Sequence, residues 1–192
     1  MQLQPFDLKP LLEKELELLQ PEIEDHNIAV TLRTSATSLP VMGDQDRITQ
    51  VVMNLLLNSI QAMPDGGKLQ LAAHQGGDEE KGNTMVELTI TDTGVGMKAE
   101  VVEQVFYPYF TTKKNGTGIG LALSQKIIVD HGGHIGIESE PNKGTVVTVQ
   151  LPAEIKTNHR LLEEWSSLFL PLLSHSFAQP HKCFFDLIRI GI

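Results

Sequence analysis

The chain is poor in cysteine, in positive charge and in long apolar runs, and each shortage excludes a class of protein. Cys183 is the single cysteine among 192 residues, so an internal disulfide is excluded and a reducing compartment fits. The 15 Lys and Arg against 24 Asp and Glu give a formal net charge of -9, which argues against binding to a nucleic-acid backbone. The C-terminal apolar run LFLPLL is far shorter than the ~20 residues that span a bilayer. The N-terminus has no signal-peptide pattern, so we expect a cytoplasmic chain without nucleic-acid or membrane contacts.

Apolar periodicity predicts helices alternating with strands. A helix with apolar residues from Leu8 to Ile23 is expected to kink or end at Pro21. A second helix is predicted from an N-cap at Asp44 to about Met63. A short helix over 98–106 and a glycine-closed helix over 119–133 follow. Strands are predicted at 28–33, 68–74, 84–90, 134–140 and 144–152, the last two as a hairpin. The predicted fold class is α/β, a two-layer sandwich of a mixed sheet and helices.

One predicted strand ends in the motif TDTGVGM, residues 91–97. The strand end directs the Asp92 carboxylate at one point. Gly94 and Gly96 have no side chains, which allows another group to approach the backbone closely. A bound small molecule explains this pattern, and so does a plain tight turn.

The second predicted helix carries amides on one face. Asn54, Asn58 and Gln61 lie together at helical spacing, and buried amides are costly unless they form hydrogen bonds or bind a ligand. Capping of a nearby loop is the alternative role for the asparagines. The opposite, core-like face consists of Ile48, Val52, Leu55, Leu56, Ser59 and Met63.

Two further clusters suit a phosphate ligand. The run GTGIGLAL, residues 116–123, opens a helix with exposed backbone N–H groups and the positive end of the helix dipole. The run follows a loop rather than a strand, which argues against a Rossmann unit. The segment FYPYFTTKK, residues 106–114, suits a mobile lid whose lysine reaches phosphate. Each cluster taken alone is equally compatible with an ordinary loop.

The four clusters in this order resemble the GHKL ATPases (gyrase, heat-shock chaperone, histidine kinase, MutL), and specifically the catalytic ATP-binding domain of sensor histidine kinases. NLLLNSIQA is similar to the N box of that family, DTGVGM to its first glycine box, VFYPYFTTK to its F box and GTGIGLAL to its second glycine box. The resemblance covers about residues 6–152 and implies the Bergerat (GHKL) ATP-binding fold. The turn MPDGGKL resembles nitrogen-regulation-type sensor kinases.

The resemblance also implies roles for individual residues. Asp92 would accept a hydrogen bond from the adenine 6-amino group, and Thr145 would support the adenine end. Asn58 would bind Mg²⁺, Asn54 would lie beside the phosphates, and Lys113 would hold the triphosphate. The implied nucleotide-binding residues are Asn54, Asn58, Gln61, Asp92, Gly94, Gly96, Met97, Lys113, Gly116, Thr117, Gly118, Gly120, Leu121 and Thr145. Those implied in catalysis are Asn54, Asn58 and Lys113.

Asn54 separates two chemistries within the superfamily. Hydrolysing members place a glutamate there, four residues before the metal-binding asparagine, as a general base for water. An amide is no base at neutral pH, so the resemblance favours phosphoryl transfer over hydrolysis. None of the seven histidines is followed by the acidic residue that marks the phosphoacceptor of the family. His131 and His134 flank a helix end and are expected to be structural.

The predicted organisation follows from this resemblance. Residues 1–26 would be a helical lead-in from a missing dimerisation segment, 27–153 the ATP-binding domain, and 154–192 a divergent tail with a short helix near 161–170. ATP with Mg²⁺ would supply the γ-phosphoryl group, a histidine of a separate two-helix dimerisation domain would accept it, and a response regulator would act downstream. The chain would be a fragment or a stand-alone partner. The alternatives are an ATP-binding regulatory module without phosphotransfer and a Ser/Thr kinase of the anti-sigma type.

Overall fold

The computed structural model describes residues 2–78, 83–113 and 116–154, and Met1–Ile155 forms one compact unit. Apart from Glu154, the predicted tail with its helix near 161–170 lies outside the described residues. No helix in the described part is long and apolar enough to cross a membrane.

A mixed five-stranded sheet forms one layer, as predicted. Its spatial order is β2 (Ile28–Thr34), β4 (Gly67–Asp78), β5 (Asn83–Asp92), β7 (Gly144–Pro152) and β6 (His134–Glu140). Strands β2 and β4 run parallel, and the other neighbouring pairs run antiparallel. A separate two-stranded sheet joins β1 (Gln4–Asp7) to β3 (Pro40–Gly43). The sequence patterns did not predict this small sheet.

The helices begin and end at recognisable signals. α1 (Leu8–Leu18) is capped by the Asp7 carboxylate, and α2 (Gln20–Asp25) starts with Pro21 in its first turn. The helix predicted across Leu8 to Ile23 is therefore broken at Leu19, where a proline can begin a helix but not continue one. α3 (Gln45–Gln61) begins at the predicted Asp44 cap, whose side chain accepts a hydrogen bond from Arg47 N.

Two later helices frame the remaining loops. α5 (Gly120–Asp130) has His131 as its C-cap residue and is followed by Gly132 with a φ of +71°, in agreement with the predicted glycine C-cap. The predicted helix over 98–106 is shorter than expected. α4 (Ala99–Val102) forms a single turn, and its four residues are all at least partly exposed. With so few buried apolar residues the segment lacks the packing that would extend a helix.

The apolar face of α3 supplies the centre of the core, as predicted. Ile48, Val52, Leu55, Leu56 and Met63 are all buried. They share one hydrophobic cluster with residues of the central strands, namely Leu69, Leu71, Val86, Leu88 and Ile90.

The N-terminal helix α1 belongs to the same core. Leu8, Leu11 and Leu12 are buried in the cluster that contains the α3 and sheet residues. The division at residue 26 into a lead-in and a main domain stays a prediction.

The strand register fixes the position of Asp92 at the end of β5. Asp92, the last residue of β5, pairs with Thr145 of β7 on one side and with Leu69 of β4 on the other. α3 and α5 pack against each other nearby. The end of β5, the amide-bearing face of α3 and the start of α5 meet at one place.

Candidate functional site

A cavity of about 500 Å³ lies where these elements meet. It is bounded by α3, the first turn of α5, the segment after β5 and the loop that precedes α5. The predicted site residues that line it are Asn54, Asn58, Gln61, Asp92, Gly96, Met97, Lys113, Gly116, Thr117, Gly118, Gly120, Leu121 and Thr145. Four separate stretches of sequence thus converge on one cavity, and Gly94 is the one predicted residue outside its lining.

Asp92 is held rigidly at the cavity wall. The residue is 3% exposed, and its Oδ1 accepts hydrogen bonds from Gly94 N at 2.9 Å and Thr145 N at 3.2 Å. Burial raises the pKa of the Asp92 carboxyl, while hydrogen bonds from Gly94, Ser59 and Thr145 oppose that rise. A buried carboxylate fixed through one oxygen is suited to receiving a donor from a ligand in the cavity.

A Cβ added to either glycine after Asp92 would meet backbone atoms. A Cβ on Gly94 would lie 2.5 Å from the carbonyl oxygen of Ala62, at the end of α3, so Gly94 packs on that helix. Val95 N donates to the same carbonyl at 3.0 Å. Gly96 has a φ of +61°, and a Cβ there would collide with the carbonyl oxygen of Glu140. Packing of this segment on α3 and β6 is therefore sufficient to explain why both positions are glycine.

Asn54 joins α3 to α5. Its Nδ2 donates to Ser124 Oγ at 3.0 Å, and Ser124 is buried in α5. Its Oδ1 lies against Gly120, where any Cβ would collide with it. The side chain thus contacts the first two turns of α5 and also lines the cavity.

Asn58 and Gln61 both accept hydrogen bonds from Lys113. The Lys113 ammonium nitrogen lies 2.7 Å from Asn58 Oδ1 and 2.6 Å from Gln61 Oε1. The lysine residue as a whole is exposed, but partial desolvation lowers the pKa of its ammonium group. This contact places the loop that precedes α5 against α3, across the cavity.

The first turn of α5 opens onto the cavity. Among the described residues no side chain caps the N-terminus of this helix, and Gly120 and Leu121 line the cavity. The first backbone N–H groups of a helix have no partner within the helix, and they carry the positive end of its dipole. This end of the cavity suits an anionic group such as phosphate.

The loop before α5 is closed by a backbone contact. Tyr109 N donates to Gly118 O at 2.9 Å, and both residues have positive φ, +68° and +67°. A Cβ on Gly118 would collide with the backbone of Tyr109. The close approach to Tyr109 therefore requires glycine at position 118, and Gly118 also lines the cavity.

The sequence did not reveal the apolar part of the lining. Ser59, predicted on the core face of α3, is buried as expected and also lines the cavity. The other lining residues that were not predicted as site residues are Leu55, Ala62, Val95, Val101, Val105, Phe110, Thr111, Thr112, Ile137 and Val147. Most are ordinary apolar residues from different elements, and no local spacing marks them. The F-box segment, which contains Phe110 and both threonines, was the available signal.

Comparison with known proteins identifies the family. The family model described as "Histidine kinase-, DNA gyrase B-, and HSP90-like ATPase" matches residues 43–155. The chain belongs to this family. The predicted GHKL fold is confirmed, because the mixed sheet with its helices matches histidine kinase catalytic domains.

Individual relatives are sensor histidine kinases. Sensor histidine kinase ZraS of Escherichia coli K12 is 37% identical over 153 residues, which is 80% of this chain and 32% of ZraS. The chain therefore spans about a third of the length of that relative. The predicted resemblance to sensor histidine kinases is confirmed, whereas the nitrogen-regulation subtype stays a prediction.

Solved structures agree with this assignment. The catalytic domain of histidine kinase ThkA aligns with a TM-score of 0.71 and 33% identity, covering 80% of this chain and 97% of ThkA's domain. ThkA in complex with the response regulator protein TrrA aligns with a TM-score of 0.67 and 29% identity, covering 81% of this chain and 43% of that one.

Proposed function

We propose that this chain is the catalytic domain of a protein-histidine kinase, which binds ATP with Mg²⁺ and transfers the γ-phosphoryl group to a histidine on a separate segment or chain. One observation carries the proposal. A buried carboxylate, a pair of helix amides and an uncapped helix N-terminus meet in one cavity. These groups offer, in turn, an acceptor for a base, ligands for a cation and donors for phosphate.

Asp92 would recognise the adenine base. Its Oδ1 is held by the backbone N–H groups of Gly94 and Thr145, so the carboxylate cannot turn away from the cavity freely. Adenine presents a 6-amino donor to such a carboxylate, and guanine presents a carbonyl at the same position. A fixed acceptor therefore favours ATP over GTP, because a carbonyl facing it would leave buried acceptors unpaired.

Asn58 would bind the magnesium ion, and the donor chemistry present is compatible with one. In the structure its Oδ1 and Gln61 Oε1 already bond to a cation, the ammonium of Lys113. Within residues 2–78, 83–113 and 116–154, no three His, Cys, Asp or Glu side chains group to hold a metal. Mg²⁺ at Asn58 would thus take its other ligands from phosphates and water, as it commonly does in nucleotide sites.

The remaining polar groups would position the triphosphate. The N–H groups at the start of α5 and the Lys113 ammonium supply positive charge at the cavity, and the magnesium would neutralise more. Asn54 provides an amide where hydrolysing relatives carry a general base, so water would not be activated. Phosphoryl transfer depends mainly on positioning and charge neutralisation, and an amide at Asn54 is consistent with transfer to an acceptor.

The acceptor and downstream partner belong to the same proposal. A histidine on a two-helix dimerisation domain would receive the phosphoryl group, and a response regulator would act after it, as the ThkA–TrrA complex suggests. The cytoplasm, where ATP is available, would be the place of reaction.

Phosphotransfer to a supplied acceptor tests the proposal. The full chain is incubated with γ-labelled ATP, Mg²⁺ and a separate two-helix acceptor, with an acceptor His→Ala variant as the control. We expect acid-labile, alkali-stable label on the acceptor alone, which indicates phosphohistidine. Tight ATP binding without label on any acceptor would instead indicate a regulatory module, and acid-stable label would indicate a Ser/Thr kinase.

A further inference from the structure

Lys113 binds the same oxygen that is proposed for magnesium. Its ammonium nitrogen lies 2.7 Å from Asn58 Oδ1 and 2.6 Å from Gln61 Oε1, one helical turn apart on α3. We call Asn58 and Gln61 the amide pair. Lysine offers only donors and an amide oxygen only accepts, so both oxygens face a single positive charge. The amide pair is in effect a cation-binding site of neutral oxygens, and a residue of the preceding loop occupies it.

We propose that Lys113 substitutes for the divalent cation at the amide pair, so that the chain holds ATP without magnesium and exchanges Lys113 for Mg²⁺ when the metal arrives. The inference rests on the proposed ATP site and assigns Gln61 a role of its own. Gln61 would hold the Lys113 ammonium beside Asn58, where phosphate oxygens come within its reach.

Electrostatics makes the exchange necessary. Two cations cannot share Asn58 Oδ1, because an ammonium and Mg²⁺ bound to one oxygen would lie only a few ångströms apart and repel strongly. Magnesium binding must therefore move the Lys113 ammonium off Asn58. The ammonium remains tethered beside the cavity, where ATP phosphates offer it new acceptors.

Thermodynamic linkage makes the exchange measurable. The magnesium factor is defined here as the dissociation constant for ATP in EDTA divided by that in saturating Mg²⁺. If Lys113 takes the place of the metal when EDTA has removed magnesium, the lysine contributes more to ATP binding in EDTA than in saturating Mg²⁺. Removing the lysine should then raise the magnesium factor. A lysine that contacts phosphate equally in both conditions would leave the factor unchanged.

Calorimetric titration of ATP into the full chain, in EDTA and in Mg²⁺, tests this. Lys113→Met should weaken ATP binding in both conditions but raise the magnesium factor about tenfold, the value of one charge-assisted hydrogen bond. Gln61→Leu, which keeps Lys113 and Asn58, should raise the factor about threefold, because the ammonium loses one of its two neutral acceptors. Gln50→Leu is the matched control, an exposed glutamine on the same helix outside the cavity, and should change neither constant.

The outcomes separate this inference from the proposed function. Suppose that the magnesium factor is unchanged in both Lys113→Met and Gln61→Leu while wild type binds ATP normally. This result would overturn the proposal that Lys113 takes the place of magnesium, and it would leave the proposed ATP site intact. Asn58→Ala reports on the site itself. If wild type binds no ATP, or if Asn58→Ala keeps the wild-type magnesium factor, the proposed metal site is wrong. The proposal that Lys113 takes the place of magnesium is then wrong as well. Both lysine and glutamine are exposed, so neither variant removes core packing.

Discussion

At the scale of single residues, Asp92 combines a cost to folding with a proposed role in binding. Its carboxylate is 3% exposed, and burial raises its pKa although three hydrogen bonds favour the charged form. A raised pKa in the folded state means that the native protein holds the proton more tightly than the unfolded chain does. The contribution of Asp92 to stability therefore increases as pH falls through its folded pKa, and at neutral pH the buried charge opposes folding.

Asp92→Asn should separate these two effects. The amide keeps an oxygen for the Gly94 and Thr145 N–H groups but removes the charged acceptor proposed to receive the adenine amino group. ATP binding should weaken by about 1.5–3 kcal/mol, the value of one hydrogen bond to a charged group. Thermal unfolding without nucleotide should show a variant at least as stable as wild type at neutral pH, with the difference shrinking in acid.

Titration with GTP is the companion measurement. Wild type should bind ATP more tightly than GTP, and Asp92→Asn should reduce that preference. Equal affinities of the wild-type chain for both nucleotides would contradict adenine recognition by Asp92.

The metal role of Asn58 gives a second residue-scale prediction. In Asn58→Ala, the affinity for ATP should no longer increase with magnesium, because the side-chain oxygen proposed as the protein ligand is gone. Calorimetry at several magnesium concentrations measures the effect. Thr49→Ala is the control, because Thr49 lies on the same helix outside the cavity lining, and it should keep the wild-type magnesium response. A wild-type magnesium response in Asn58→Ala would place the metal elsewhere.

At the scale of elements, a buried histidine ties α5 to the start of α3. His131 Nδ1 lies 2.6 Å from Ile127 O and must donate to that carbonyl, so Nε2 is left to accept from Asp44 N at 3.0 Å. The ring also packs on Gly43, where an added Cβ would lie 3.1 Å from it. The predicted structural role of His131 agrees with these contacts, which fix the two cavity-bounding helices relative to one another.

His131→Phe should destabilise the fold without touching the cavity. The phenyl ring fills similar space but leaves the Asp44 N–H without its acceptor, at a cost of about 1–3 kcal/mol. Urea unfolding followed by circular dichroism measures the change. His134 was predicted to be structural as well, but its exposure gives that role no support, so His134→Phe serves as the control and should stay within about 0.5 kcal/mol of wild type. Equal stability of His131→Phe and wild type would contradict a stabilising role for the hydrogen bond between Asp44 N and His131.

The loop that precedes α5 should respond to nucleotide. Tyr107 and Tyr109 are 63% and 78% exposed, so little buried apolar surface opposes local opening of this segment. Amide hydrogen exchange of residues 107–113 should be fast in the chain alone and slower with a non-hydrolysable ATP analogue and Mg²⁺. Identical exchange in both conditions would count against a lid.

The elements also show what sequence patterns can and cannot reveal. The long helix α3 and the five strands of the main sheet have strong periodicity, and the structure contains all of them. β1 and β3 have four residues each, too few for alternation to be visible, and their pairing depends on contacts distant in sequence. The glycine pattern after Asp92 predicts either a bound small molecule or a tight turn, and the close approach to Ala62 and Glu140 depends on tertiary packing that no local pattern encodes.

At the scale of the whole molecule, the fold brings the buried Asp92 carboxylate, the amide pair and an uncapped helix end to one cavity. In the proposed function those groups would supply recognition and charge neutralisation, and the family resemblance places Asn54 where hydrolysing members carry their general base. The central claim is therefore that the cavity prepares ATP for transfer to an acceptor rather than to water. A detached acceptor should be phosphorylated slowly, because no linker raises its effective concentration.

The fate of the γ-phosphoryl group tests this claim most directly. The wild-type chain is given γ-labelled ATP and Mg²⁺ with and without a separate two-helix acceptor, and protein-bound label and free phosphate are counted in the same samples. We predict little free phosphate and little self-labelling without acceptor, and label on the acceptor histidine when it is supplied. Rapid release of free phosphate by the chain alone would contradict the account and indicate an ATP hydrolase whose base lies outside the residues described for this cavity.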